Sequence, residues 1–144
     1  MTESLDMEGW RAINVPVTEE FRANQGRVGG RFEGRDLLLL TTTGAKSGQP
    51  RVAPLTYFTI DGKVIVVGSR AGAPKHPDWV HNLRANPAAH VEMGAMDYDV
   101  VVRELPAAER DDTFGKIVER APRFGDYQAK TSRVIIPLFE LQRV

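Results

Sequence analysis

The sequence predicts a mainly β fold of the α+β kind. Six antiparallel strands should close, or nearly close, into a small barrel with helices on the outside. Three observations predict it. About six β-branched or aromatic segments follow one another through short turns. The strand–helix–strand alternation that a doubly wound parallel sheet needs is absent. An Asp-Gly pair at 61–62 joins two of the segments directly, the strongest short-range hairpin signal. With 144 residues, 42% hydrophobic and 26% charged, the chain has the length and apolar content for one core. There is no internal repeat, low-complexity run or obvious domain boundary.

Thr18, followed by Glu19, Glu20 and Phe21, reads as an N-cap with acids in the first turn, predicting a short helix over 18–25. Gly26, Gly29, Gly30 and Gly34 then make a loop. Leu37 to Thr43, bounded by Gly44, reads as a strand buried on both faces. Residues 44–50 form a turn. Strands at Arg51–Ile60 and Lys63–Gly68 flank the Asp61-Gly62 hairpin. Ser69 to Pro77 is a loop, and Asp78 is placed to cap a short helix through about Arg84, which Asn86-Pro87 ends. Two further strands are expected at Ala88–Met93 and Asp97–Leu105. Pro106 suits the first turn of a helix reaching Arg120. Arg133 to Arg143 is expected as the last strand, with Pro137 requiring an edge or a bulge. The expected helices number two or three.

Several function classes fall away on composition. The chain has no cysteine, so thiolate catalysis, disulfides and Cys-ligated metals are excluded. Three His without an HExxH pattern or a regular His/Asp cluster argue against a metal enzyme. The longest apolar run is four residues, far short of the ~20 of a membrane span. The first 25 residues lack the apolar core of a signal peptide. The expected setting is cytoplasmic, with no integral membrane segment.

Formal net charge is zero, yet it is unevenly spread. Residues 1–43 carry seven acids and five bases, residues 44–90 two acids and six bases, and residues 91–144 ten acids and eight bases. All three His also fall in the basic middle third, which is therefore the segment expected to meet an anion. No continuous basic stripe accompanies it, so nucleic acid is not the expected partner.

Within that third, Gly44-Ala45-Lys46-Ser47-Gly48 lacks P-loop spacing and precedes a strand instead of a helix, which removes the nucleoside-triphosphate reading. A glycine-rich turn can still offer backbone N–H groups to an anion. Lys46, Ser47 and Arg51 add charge and donors. The same residues also suit a solvated basic hairpin tip. Gly68-Ser69-Arg70-Ala71-Gly72 is a second small-residue loop, where a flat ligand could approach the backbone. Lys75, His76, Trp79 and Asn82 follow it, and the last two also suit a core ring and a helix-capping amide.

Three blocks, LLLLTTTGAKSGQPRVAPLTYF (37–58), VIVVGSRAGAPKHPDWVHNLRANP (64–87) and DYQAKTSRVIIPLFEL (126–141), resemble the deazaflavin-dependent nitroreductase family. The likeness covers roughly 26–141, with the blocks in matching order. It implies a split β-barrel of the FMN-binding type and the cofactor coenzyme F420. It divides the chain into an extension, 1–25, and an F420-binding barrel, 26–144. By resemblance, Lys46, Ser47 and Arg51 hold the phosphate of F420. Val52, Ala53, Pro54, Leu55 and Thr56 run along the deazaflavin ring. Val67, Gly68, Ser69 and Arg70 form the other wall, and Trp79 with Asn82 closes the site. Lys75 is added on charge and position alone, as a contact for the polyglutamate tail.

The implied reaction is hydride transfer to a small electron-poor acceptor: an α,β-unsaturated lactone or ester, a quinone or a nitroaromatic. Ser69 is the first candidate to hold the acceptor carbonyl. Tyr127 is the second, as acceptor contact or proton donor, and Phe124 lines the acceptor side. Ala121 and Phe124 stand where nitroreductase members carry tyrosines, which weighs against bulky nitroaromatics. Two alternatives stay open: an FMN-dependent oxidase or reductase on the same barrel, and a non-enzymatic F420 carrier. Monomer and homodimer are both compatible, as is peripheral membrane contact when the acceptor is a quinone.

Overall fold

The computed structural model describes residues 7–29, 36–132 and 135–144. In chain order the elements are α1 (Met7–Ala23), β1 (Leu37–Thr43), β2 (Pro50–Ile60), β3 (Lys63–Val67), a 3-10 turn (Arg70–Gly72), α2 (Asp78–Ala85), β4 (Ala88–Met93), β5 (Met96–Glu104), α3 (Ala107–Arg120), α4 (Arg123–Lys130) and β6 (Leu138–Arg143). The strands form a closed barrel in the order β1-β2-β3-β6-β5-β4, every neighbouring pair antiparallel. Closure leaves no strand edge unpaired. The expected six-stranded antiparallel barrel with outer helices is the observed fold.

The four leucines of β1 show how the barrel is filled. Leu38 and Leu40 point inward and pack with Val66, Val91, Val100 and Phe139. Leu37 and Leu39 point outward and are covered by Phe21 of α1. Both faces are buried, as a run without alternation requires. α2 plugs one end of the barrel with Trp79, Val80 and Leu83. On the far side α3 and α4 cover β3 and β6 through Phe114, Ile117 and Phe124 against Ile65 and Leu138. The β2–β3 hairpin turns at Asp61 and Gly62 with φ of 53° and 79°, the paired positive values of a two-residue hairpin turn.

Several assignments differ from the sequence reading. α1 begins at Met7, so Thr18 lies inside it and its hydroxyl donates to the Asn14 carbonyl at 2.7 Å instead of capping a start. Asp78 occupies the first turn of α2 while Pro77 is the N-cap residue, so the acid acts on the helix dipole and makes no side-chain cap. Pro106 likewise precedes α3 as its N-cap residue. β6 starts at Leu138, which puts Pro137 outside the ladder and removes the need for an edge or bulge; its carbonyl accepts the Gly68 N–H at 2.9 Å. The described helices number four, besides the 3-10 turn. Gly30, Gly34 and Arg133 lie outside the described residues.

Candidate functional site

The β1–β2 turn is closed by its own backbone and held from beneath by α2. Gly44 N–H donates to the Gln49 carbonyl at 2.8 Å, and Gly48 N–H to the Gly44 carbonyl at 2.9 Å. A Cβ on Gly44 would stand 2.5 Å from Ser47 Oγ, so the turn folds this tightly only with glycine there. Ser47 Oγ accepts from Gln49 N–H at 3.2 Å and from Arg51 Nη2 at 3.3 Å. Asn82, 5% exposed on α2, accepts the Ala45 N–H at 2.9 Å and donates to Thr42 Oγ1 at 3.0 Å. Ser47, Arg51 and Asn82 are therefore joined in one small unit, and Lys46 extends from its tip into solvent.

The cations of this turn have no carboxylate partner, and among the described residues Arg27, Arg120, Lys130 and Arg143 also form no ion pair. Arg22, Lys63, Arg84, Arg103, Arg110 and Lys116 each pair with a carboxylate. Among the described residues, Lys46, Arg51 and Lys75 form no ion pair. Exposed cations without carboxylates, beside the Ser47 hydroxyl, suit an anionic group such as a phosphodiester, whereas the Gly44, Ala45, Gly48 and Gln49 N–H groups are spent within the turn and on Asn82. The residues present thus fit the phosphate end of F420.

From the turn, β2 runs on with a half-buried stretch from Val52 to Phe58. Ala53, Leu55 and Tyr57 pack on the barrel interior. On the outer side, Val52 packs with the α1 cluster and Phe58 with the α3–α4 cluster, so Pro54 and Thr56 form a strip between two helical covers. Burial, then the Asp36 carboxylate and Tyr98, push the Tyr57 phenol above its ordinary pKa. At the far end of the strip the Phe124 ring meets Phe58 at 5.5 Å and Tyr127 at 5.4 Å, both edge-on.

The loop after β3 brings the second wall. Val67, Gly68 and Ser69 are buried, and Arg70 is half-buried with a φ of 48°. Gly72 lies on Tyr127 of α4, so the loop carrying Ser69 and the helix carrying Tyr127 touch. Lys75 stands exposed further along and is not brought to the other candidates by any described contact. Trp79 is 6% exposed, its ring edge-on to Phe139 at 5.4 Å inside the barrel, so it supports the site from behind. Phe124 is equally buried at 6% and is first a core ring. Sequence reasoning gave no role to Thr42 or Thr131; their partners lie 40 and 58 positions away, with no local signal.

Two grooves lie elsewhere, of about 450 Å³ beside His76, Arg84, Glu104 and Arg110, and of about 250 Å³ beside Phe21, Arg22, Glu92 and Asp97. Neither is lined by a predicted site residue. Their charged groups already satisfy one another, through Arg84–Glu104 and Arg22–Glu92. The turn and strip of β2 are the better candidate on chemistry. Among the described residues no group of His and acidic side chains could hold a metal, and no helix is long and apolar enough to cross a membrane.

Residues 15–142 match the family model of F420H(2)-dependent quinone reductase. An F420H(2)-dependent quinone reductase of Mycobacterium tuberculosis (strain ATCC 25618 / H37Rv) is 36% identical over 129 residues, covering 85% of each chain. A solved F420-H2 dependent reductase, FDR-A, is 42% identical with a TM-score of 0.66, over 75% of this chain and 95% of its own. A second solved structure, described as a domain-swapped dimer, is 39% identical with a TM-score of 0.68, over 87% of this chain and 93% of its own. The chain belongs to the F420H(2)-dependent quinone reductase family.

Proposed function

We propose that this chain binds reduced coenzyme F420 along the outer face of β2 and reduces a quinone, with α,β-unsaturated lactones or esters and small nitroaromatics as further acceptors of the same electron-poor class. The observation that carries the reading is the β1–β2 turn, where Lys46 and Arg51 stand free of carboxylates on a loop held by Asn82. Lys46, Ser47 and Arg51 hold the phosphate, and Lys75 meets the carboxylates of the tail. The backbone of 52–56 and the loop 67–70 flank the ring. When bound, F420 in its reduced form supplies a hydride, which the quinone takes up with a proton to become the hydroquinone.

The chain's own residues orient and exclude water. Val67, Gly68 and Ser69 are buried, which keeps the ring's surroundings of low polarity and strengthens each hydrogen bond made there. Ser69 hydrogen-bonds the acceptor carbonyl, where negative charge develops. Tyr127, half-buried on α4, contacts the acceptor and donates the proton to its oxygen. Phe58 and Phe124 give that end an apolar lining suited to a quinone ring.

Titration of the purified protein with F420 and separately with FMN, followed by quenching of tryptophan fluorescence, tests the reading. Tight F420 binding and weak FMN binding are expected, and addition of menadione to the F420H2 complex should restore the visible absorbance of the oxidised deazaflavin. A preference for FMN assigns the barrel to flavin chemistry instead. Tight F420 binding with no turnover across quinones, enones and nitroaromatics makes the chain a carrier.

A further inference from the structure

α4 has eight residues and buries one of them, Phe124, so its position depends on polar ties. One tie is at its middle, where Gln128 Oε1 accepts from Arg110 Nη2 at 2.7 Å and from Ile136 N–H at 2.8 Å. The other is at its end, where Thr131 N–H donates to the Tyr127 carbonyl at 3.0 Å and Thr131 Oγ1 donates to the Ala73 carbonyl at 2.8 Å. The chain segment that receives this bond lies directly on the helix. Gly72 has a φ of +79°, and a Cβ there would stand 3.0 Å from the Tyr127 carbonyl oxygen and 3.2 Å from Tyr127 Cα. Gly72 N–H and Ala73 N–H in turn donate to the carbonyls of Ser69 and Arg70, both at 3.0 Å. One continuous chain of bonds thus runs from Thr131 through Ala73 to the loop that carries Ser69, while Gly72 lies against Tyr127.

We infer that Thr131 is a positioning residue for the acceptor: its hydroxyl latches α4 onto the 69–73 loop and so sets where Tyr127 stands relative to Ser69. The inference rests on the functional reading above, which puts the acceptor between those two side chains. Lys46, Ser47 and Arg51 sit on a separate turn held by Asn82, so the latch acts on the acceptor more than on the anchored end of the cofactor.

The test compares Thr131→Val, which keeps the shape and removes the donor, with Thr131→Ser, which restores it. In Thr131→Val, the KM for menadione should rise roughly fivefold, the ratio one neutral hydrogen bond is worth, while the Kd for F420 moves less than about twofold. Amide hydrogen exchange at Gly72 and Ala73 should quicken by a similar factor, with barrel strands unchanged, and Thr131→Ser should recover both readouts. An unchanged menadione KM in Thr131→Val overturns the inference. So does a Thr131→Ser protein as impaired as Thr131→Val with the same loss of Tm, the mark of a purely structural role. Wild-type protein that binds no F420 overturns the functional reading and the positioning role with it; the exchange rates then still report the latch by itself.

Discussion

The side-chain amide of Asn82 donates to Thr42 Oγ1 at 3.0 Å while its oxygen accepts the Ala45 N–H at 2.9 Å, so the helix that plugs the barrel also holds the turn that offers its unpaired cations. Both Asn82 and Thr42 are buried, at 5% and 2% exposure, so the bond between them is shielded from solvent, while the bond to Ala45 is part-buried. Packing and binding meet in one side chain.

Replacing that amide should therefore affect stability and affinity together. Asn82→Leu, which keeps the branching of the side chain, leaves the Thr42 hydroxyl and the Ala45 amide without their partner. The expected cost is about 1–3 kcal/mol of unfolding free energy, read as a lower midpoint in urea. F420 affinity should fall as well, because the turn loses its support. A variant with unaltered midpoint and unaltered affinity would remove Asn82 from the site.

The two exposed cations of the turn act on affinity alone. Lys46→Ala and Arg51→Ala should each weaken F420 binding by roughly 1.5–3 kcal/mol, the range of charge-assisted bonds, or about 10- to 100-fold in Kd. Thermal midpoints should stay within a degree or two, since neither side chain is buried or paired with an acid. Lys75→Ala should have a smaller effect that vanishes for an F420 precursor lacking the glutamate tail. Wild-type affinity in both Lys46→Ala and Arg51→Ala would dismiss the phosphate assignment.

Much of this architecture is legible in the chain because it is written in short-range patterns. Leu37 to Thr43 declares a doubly covered strand, and Asp61-Gly62 declares its hairpin through the positive φ both residues adopt. The turn proposed to hold phosphate is legible for the same reason, since Gly44, Lys46, Ser47 and Arg51 are neighbours in sequence. What escapes is whatever depends on distant partners. Thr18 looks like a cap until the Asn14 carbonyl is seen one turn behind it. Pro137 looks like a broken strand until β6 is found to begin after it. Trp79 suits a ligand wall or a core ring in sequence, and only the ring of Phe139 tells which. The contact of Gly72 with Tyr127 spans 55 positions and leaves no mark on local periodicity.

On the acceptor side, Tyr127→Phe isolates the hydroxyl. The ring keeps its edge-on contact with Phe124, so α4 should remain in place and the F420 Kd unchanged. Turnover with menadione should fall at least about tenfold, short of the 10²–10⁴ of a fully matched general acid. Stopped-flow recording of F420H2 oxidation at saturating menadione, seen as the return of the oxidised deazaflavin's absorbance, reads the effect directly. An oxidation rate equal to wild type would transfer the proton-donor role to solvent.

The last prediction concerns pH and lies away from the site, on the β4–β5 hairpin. His90 Nδ1 meets Asp99 Oδ1 at 2.8 Å and Nε2 meets Asp97 Oδ1 at 3.1 Å, while Glu92 on the same strand is held by Arg22 of α1. The hydrogen bond to Asp99, opposed by desolvation and aided by both carboxylates, raises the imidazole pKa above 6.5. A group whose pKa is raised on folding stabilises fully below its unfolded value, and that stabilisation fades as pH rises through the folded value. Unfolding free energy should thus decline as pH rises from about 6 through the raised folded value, and His90→Gln should flatten that decline. The side chain is 38% exposed, so screening holds the change to about 0.2–1 kcal/mol, and 1 M salt should shrink it further. Titration of the His90 ring by NMR gives the independent reading: its midpoint should lie above the ordinary histidine value and drop back in Asp99→Asn. A midpoint at the ordinary value in the wild type, or one indifferent to Asp99→Asn, would show that the two aspartates do not stabilise the imidazolium.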